Sequence, residues 1–276
     1  MATPGRQRSL IIPREHGAWG ILLVPLSTGA AVGLLEGGRA LPLVPLVIAA
    51  LGLFWLRTPL ESWIGTTPVR ARTPGEFRLV RNTAIALALM SIAALGWLFN
   101  AGRNRELAWI GAAAAVAFLL QALIRRVWRN ARTAAQMIGA AGLTSTGPAA
   151  YYVVTGRLDT SAWSLWAANL LFAMNQIHFV QIRIQAAQAK TRRQKLSIGR
   201  AFLAGQICTV ALLTGACALR LFPWPAAIAF GPVLCRGFAW FTAGARPLAI
   251  HALGKSELAY ACAFGVLLVI GSVVLR

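Results

Sequence analysis

The feature that most constrains this chain is a succession of apolar runs, each close to bilayer-spanning length, separated by short polar breaks. The runs lie at about 16–35, 41–56, 83–99, 107–124, 134–154, 161–182, 201–221, 224–241 and 258–275. A hydrocarbon core about 30 Å thick takes about 20 residues of helix to cross. The expectation is therefore an all-α integral membrane protein, a bundle of about nine transmembrane helices. A short basic N-terminus (1–14) precedes a single transmembrane helical domain (15–276). Composition agrees, since only 12% of residues are charged, against roughly 25% in soluble domains. The fifth run is the least hydrophobic and open to a re-entrant path. The first run is long, opens on Glu15-His16 and leads into further spans, which reads as a retained helix and not a cleaved signal peptide.

The net charge of +20 needs a cause. A nucleic-acid-binding domain would concentrate it on one water-soluble face. Here Lys and Arg fall mostly in the breaks between apolar runs, so no nucleic-acid partner is expected. With the N-terminus in the cytoplasm, 21 of the 27 Lys and Arg lie on the cytoplasmic side, a strong positive-inside asymmetry. The expected location is the inner (plasma) membrane, multi-pass, with membrane lipids as partners. The four cysteines, Cys208, Cys217, Cys235 and Cys262, all sit in apolar runs without a CxxC pair. That pattern argues against disulfides and zinc.

Three places offer chemistry. Pro13–Gly20 sets Glu15, His16 and Trp19 at the mouth of the first span, either as a polar entrance or as a headgroup anchor. The sixth span carries Asn175, His178, Gln181, Gln185, Gln188 and Arg192 within one helical arc of about 140°. Such a face is expensive against lipid and should point into the bundle, as a ligand surface or as interhelical glue. Arg183 and Arg193 follow it. The stretch 57–82 is read as a long loop broken by Pro59, Gly65, Pro68, Pro74 and Gly75. Its Arg57, Arg72 and Arg81 suit bidentate contacts to phosphate or carboxylate, unless Glu61 and Glu76 pair with them. Arg236, inside an apolar run, would cost roughly 2.5–3.5 kcal/mol at a helix centre and should snorkel or face inward. No P-loop, GxGxxG, HExxH or GxSxG occurs, and no span clusters carboxylates. A protein-built Mg²⁺ site is therefore not expected, and no metal ligands are assigned.

The segment PREHGAWGILLVPL, residues 13–26, resembles the YwiC-like family of bacterial membrane proteins, whose first helix opens on His-Gly-Ala-Trp. The Asn175–Arg183 segment and the basic stretch after the second run resemble it too. That resemblance implies a membrane protein without an assigned activity. In layout the chain is also similar to the UbiA-type intramembrane prenyltransferases, which imply nine helices, a cytoplasmic N-terminus and functional loops after helices two and six. Their Asp-rich Mg²⁺ motifs are missing at the corresponding places here.

The functional expectation is binding of an anionic lipid or isoprenoid-like ligand at the cytoplasmic face. Glu15, His16, Trp19, Arg57, Arg72, Arg81, Asn175, His178, Gln181, Arg183 and Arg193 are the ligand-binding candidates. His16 and His178 are also the acid–base candidates, because histidine titrates near neutrality. A small-anion or metabolite transporter and a non-catalytic assembly protein are the alternatives, and whether the protein is an enzyme stays open.

Overall fold

A computed structural model describes residues 4–13, 16–64, 69–103, 105–128, 131–189, 191–243 and 249–274. In chain order its helices are α1 (Pro4–Ile11), α2 (His16–Leu35), α3 (Leu43–Ile64), α4 (Pro74–Asn100), α5 (Arg105–Val127) and α6 (Arg132–Thr144). There follow α7 (Thr146–Thr155), α8 (Thr160–Ala186), α9 (Arg192–Ala218), α10 (Trp224–Ala227), α11 (Gly231–Thr242) and α12 (Ile250–Val269). A 3₁₀ turn (Ile228–Phe230) joins α10 to α11, and a π turn (Ile270–Val274) extends α12. No strand occurs among the described residues.

Six helices are long and apolar enough to cross a membrane: α2, α3, α4, α5, α9 and α12. Only 11% of the apolar window of α5 is buried within the protein, and its Trp109 and Leu119 are 68% and 69% exposed. So much exposed apolar surface on long helices needs lipid, because water would not tolerate it. The other three expected spans differ for identifiable reasons. The fifth breaks at Ser145 into α6 and α7, just before Gly147-Pro148. The sixth, α8, is 27 residues long, but Asn169, Asn175, Gln176, His178 and Gln181 make it too polar to qualify by hydropathy. The eighth is α10, the 3₁₀ turn and α11 in succession.

The chain divides into two compact units, Met1–His16 with Arg39–Arg105, and Gly17–Gly38 with Glu106–Arg276. In the first, α3 and α4 form a tight antiparallel pair. A Cβ on Gly52 would lie 2.4 Å from Ser91 Oγ, so any larger residue there would have to displace the Ser91 hydroxyl. Within the stretch 57–82, residues 57–64 and 74–82 are helix and not part of a long loop, while Gly65 and Pro68 lie outside the described residues. The α3 helix continues through Pro59 to Ile64, and Arg57 pairs with Glu61 one turn on, at 2.8 Å. The α4 helix then starts on a capping box, Thr73-Pro74-Gly75-Glu76. The Thr73 hydroxyl accepts from Glu76 N–H at 3.2 Å, and the Glu76 carboxylate accepts from Thr73 N–H at 3.3 Å and Arg72 N–H at 2.8 Å. Arg6 of α1 donates Nε–H to the same carboxylate at 2.6 Å. That bond holds the Arg6 guanidinium above its ordinary pKa. Leu10 packs with Ala71 and Val80, and the Trp55 indole donates to Ile11 O at 2.5 Å. The N-terminal helix is thus pinned at both ends onto α3 and α4.

In the second unit α8 is central, packing on α6, α7, α9 and α11. Its Phe172 stacks on Phe264 of α12 at 4.0 Å, within an apolar core that includes Tyr151, Phe230 and Leu268. Asp159 caps its start by accepting from Ser161 and Ala162 N–H. The α2 and α7 helices meet through small residues. A Cβ on Gly29 would fall 2.0 Å from Gly147 O, and one on Gly33 would fall 3.1 Å from Val154 Cγ1. Gly29 and Gly33 form a GxxxG pair, which lets helices approach to backbone contact in lipid.

Candidate functional site

The end of α8 that carries Arg183 gathers the polar groups of the second unit. Asn175 is buried. His178, one turn on, is half-buried, edge-on to the Phe202 ring of α9 at 5.3 Å and beside Gly205. Gln181 donates to Gln136 Oε1 of α6 at 3.0 Å. The predicted polar arc ends there. Gln185 is exposed at the last turn, Gln188 lies beyond the helix, and Arg192 begins α9. Arg183 is half-buried and Arg193 exposed.

Facing this end are a lysine and an arginine, both placed by packing. Lys195 of α9 is 8% exposed. Its ammonium donates to Trp240 O at 2.6 Å and to Ala243 O, and lies 4.5 Å from the Trp240 ring centroid. It therefore closes the C-terminus of α11, where unpaired carbonyls and the helix dipole favour a cation. Gly199, one turn on, lets α9 approach α11, because a Cβ there would fall 2.7 Å from Trp240 and Phe241 ring atoms.

Arg236 of α11 is held more elaborately. Its side chain is 10% exposed, and Glu257 of α12, its ion-pair partner through Nη1, is 12% exposed. One face of the guanidinium lies 3.9 Å from the Phe179 ring centroid, and the Tyr260 ring stands at 4.3 Å. Gln176 Nε2 donates to the backbone oxygen of Glu257 at 2.7 Å, tying α8 to α12. Buried polar atoms are nevertheless left over. Arg236 Nε and Nη2, Glu257 Oε2, Asn175 Oδ1 and Gln206 Oε1 have no hydrogen-bond partner among the described residues. Gln206 is 1% exposed and sits against Gly237, where a Cβ would fall 2.7 Å from its Oε1.

Electrostatically this end is basic. Arg183 and Arg192 both act on Lys195, and Arg183 also acts on Glu257. Arg183 thus links two groups, the Arg236–Glu257 pair and the cations Lys195 and Arg192. Such a donor set suits an anion and does not fit Mg²⁺, which takes oxygen ligands. No three His, Cys, Asp or Glu side chains converge among the described residues.

The remaining sequence candidates are placed as follows. Glu15 and the side chain of His16 lie outside the described residues. Trp19 is half-buried on α2. Arg57, Arg72 and Arg81 belong to the first unit. Arg57 is paired with Glu61, whereas Arg72 and Arg81 have exposed side chains. The arginine pinned by the Arg-rich stretch is one from outside it, Arg6. Sequence reasoning left Arg236, Lys195, Gln206 and Glu257 out of its site. Arg236 gave a signal, as a charge in an apolar run. The Lys195 and Gln206 roles had none, since both depend on which helix α9 faces.

At the opposite end of α8, Tyr151 donates to Glu36 at 2.6 Å and lies 3.3 Å from Asp159, while Arg157 approaches both carboxylates at 3.7 and 4.0 Å. A cavity of about 440 Å³ opens near this end, lined by Ser161, Ser164, Arg220, Trp224 and Ser272 among others.

The family described as YwiC-like protein matches residues 12–151, from the Pro13–Gly20 motif into α7. A relative named Uncharacterized protein YwiC, from Bacillus subtilis (strain 168), is 25% identical over 254 residues, which is 92% of this chain and 95% of its own. No solved structure matches.

Proposed function

The chain belongs to the YwiC-like family, and on that premise we propose that it is a multi-pass inner-membrane protein that binds the anionic headgroup of a lipid or isoprenoid-like amphiphile at its cytoplasmic face. The observation that carries this reading is the basic end of α8, where Arg236 and Arg183 act on the carboxylate of Glu257 and Arg183 and Arg192 gather beside Lys195. An apolar bundle supplies the surroundings a hydrocarbon tail requires, and the cations supply the partner for its headgroup.

The proposed topology has nine crossings, with the N-terminus inside and a UbiA-like layout lacking Asp-rich motifs. Six are the long helices, and α6–α7, α8 and α10–α11 are the other three. In that arrangement the Arg183 end of α8 is cytoplasmic, together with 21 of the 27 basic residues. A reporter fused after Arg276 is then active only outside the cytoplasm.

A transport reading has one observation in its favour, the discontinuity at Ser145, because broken helices form the sites of many transporters. The hydroxyls there are already used. Thr144 donates to Ala140 O, Ser145 to Gly142 O, and Thr146 to Leu143 O and Leu22 O. They serve the backbone at the break, which weighs for binding over a polar path.

Thermal stability in detergent tests the proposal. Anionic isoprenoids such as farnesyl phosphate raise the unfolding temperature above that with farnesol. Equal shifts for the charged and neutral compounds would refute it.

A further inference from the structure

We propose that the free edge of Arg236 is the seat of a singly charged two-oxygen oxyanion, a carboxylate or a phosphodiester, on an apolar ligand. The inference deepens the anionic-amphiphile reading and rests on it. Of the guanidinium's two forks, Nη1 is engaged by Glu257, while Nε and Nη2 are buried and without partners among the described residues. Those two atoms form the side edge of the group, with N–H bonds pointing the same way at the spacing of two oxygens on one carbon or phosphorus. Packing Phe179 and Tyr260 against the cation fixes its plane, and Glu257 fixes its rotation. The edge is thus oriented before anything binds, which lowers the ordering cost of association. Leaving two donors of a buried cation bare is costly, so something must satisfy them.

The local charge selects the class. Glu257 pairs with Arg236 and also lies within the electrostatic reach of Arg183. Lys195 is turned onto the carbonyls that end α11. Lys195 and Arg192 keep their charges but are not among the groups that act on Glu257; at that carboxylate itself two arginines leave a single positive charge, which one monoanion neutralises. A diphosphate would bring at least one uncompensated negative charge beside Glu257.

The experiment uses the full chain in lipid nanodiscs and four probes of one tail: dodecanoate, dodecyl methyl phosphate, dodecyl diphosphate and dodecanol. Binding is followed by tryptophan fluorescence. In the wild type, dodecanoate or the phosphodiester binds at least tenfold more tightly than dodecanol and no more weakly than the diphosphate. The relative strength of those two arms identifies the oxyanion. Arg236→Lys keeps the charge, loses the fork, and weakens the preferred monoanion at least tenfold. Glu257→Gln leaves the ligand as the counter-ion of Arg236 and tightens binding severalfold. A purely structural ion pair would not produce that gain. The double variant Arg236→Gln/Glu257→Gln removes both buried charges together, which protects folding, and loses the monoanion preference. Unchanged affinity in Arg236→Lys or the double variant would overturn the Arg236 assignment, with water alone on the edge, while the broader anion reading stood. A preference for the diphosphate would overturn the charge argument. Absence of any preference over dodecanol in the wild type would instead remove the broader reading.

Discussion

The α2–α7 crossing gives the sharpest stability prediction. Alanine at Gly29 would put its Cβ 2.0 Å from Gly147 O, 2.8 Å from Gly147 C and 3.1 Å from Gly147 Cα. All three obstacles are backbone, so no side chain can swing aside. A carbon–oxygen contact of about 3.3 Å requires the helices to part by about 1.3 Å. The separation would also loosen Gly33 from Val154 and Thr155, now at 3.1 and 3.2 Å from an ideal Cβ. Overpacking typically costs 1–3 kcal/mol, and an immovable obstacle belongs at about 3 kcal/mol. The better helix propensity of alanine returns about 1 kcal/mol. The expected net loss is about 2 kcal/mol, close to a thirtyfold change in the folded-to-unfolded ratio. Gly20, on the same helix, is the internal control, since nothing lies within 4 Å of its ideal Cβ. Gly20→Ala should be neutral or gain up to about 1 kcal/mol. Both variants are compared by reversible unfolding in mixed micelles titrated with sodium dodecyl sulfate, followed by tryptophan fluorescence. If Gly29→Ala proves as stable as the wild type, or if the two variants shift alike, the crossing is not the close contact described.

Three further outcomes are expected. Glu76→Gln removes the carboxylate on which Arg6, Arg72 N–H and Thr73 N–H converge, so trypsin should cleave at Arg6 and Arg8 faster than in the wild type; an unchanged N-terminal cleavage rate would contradict the pinned α1. Lys195→Met keeps the apolar stem and strips the ammonium from the Trp240 and Ala243 carbonyls, with an expected loss of about 2 kcal/mol in the same unfolding titration. Tyr151→Phe removes the hydroxyl donated to Glu36 without changing the buried ring, and about 1–2 kcal/mol should be lost; wild-type stability would mean that Glu36 is satisfied without it.

Which parts of this structure a sequence can announce depends on the range of the interaction. Apolar runs are local, so the long helices α2–α5, α9 and α12 were readable as helices, but only α2 and α5 keep the expected bounds; α3, α4, α9 and α12 run eight or nine residues past the apolar stretch at one end, where the helix turns polar. Gly29 and Gly33 are spaced for a helix contact, yet only Gly147 on a second helix shows what they meet. The capping box Thr73-x-x-Glu76 is a local signal that the abundance of Pro and Gly hid. Pro74 and Gly75 look like breakers, but at the first helical positions Pro is favoured, and this one begins α4. Pro59 misled in the same direction, since α3 runs through it. On α8 the arc from Asn175 to Gln181 was legible as polar, but its destinations are tertiary: Gln181 reaches α6 and His178 reaches α9. Arg236 was visible as an anomaly, and its rings and its carboxylate come from α8 and α12, 57 and 21 residues away in sequence for Phe179 and Glu257.

The use of acidic residues explains why one arginine stands apart. The chain has 7 Asp and Glu against 27 Lys and Arg, and the described acids are all engaged in holding helices. Glu61 braces Arg57 along α3, and Glu76 pins α1. Glu36 and Asp159 receive Tyr151, Glu106 receives Tyr152, and Asp159 also caps α8. Acids this scarce cannot neutralise the basic surface, so most of its counter-charge must come from outside the chain, as anionic headgroups supply it near a membrane surface. For exposed arginines that exchange is loose, because water screens it. Arg236 has no such recourse. It is buried, it already has an acid, and its second fork lacks a partner among the described residues. A group in that position satisfies itself with a specific molecule or with trapped water, and the two differ in whether Glu257→Gln tightens the grip on an added monoanion.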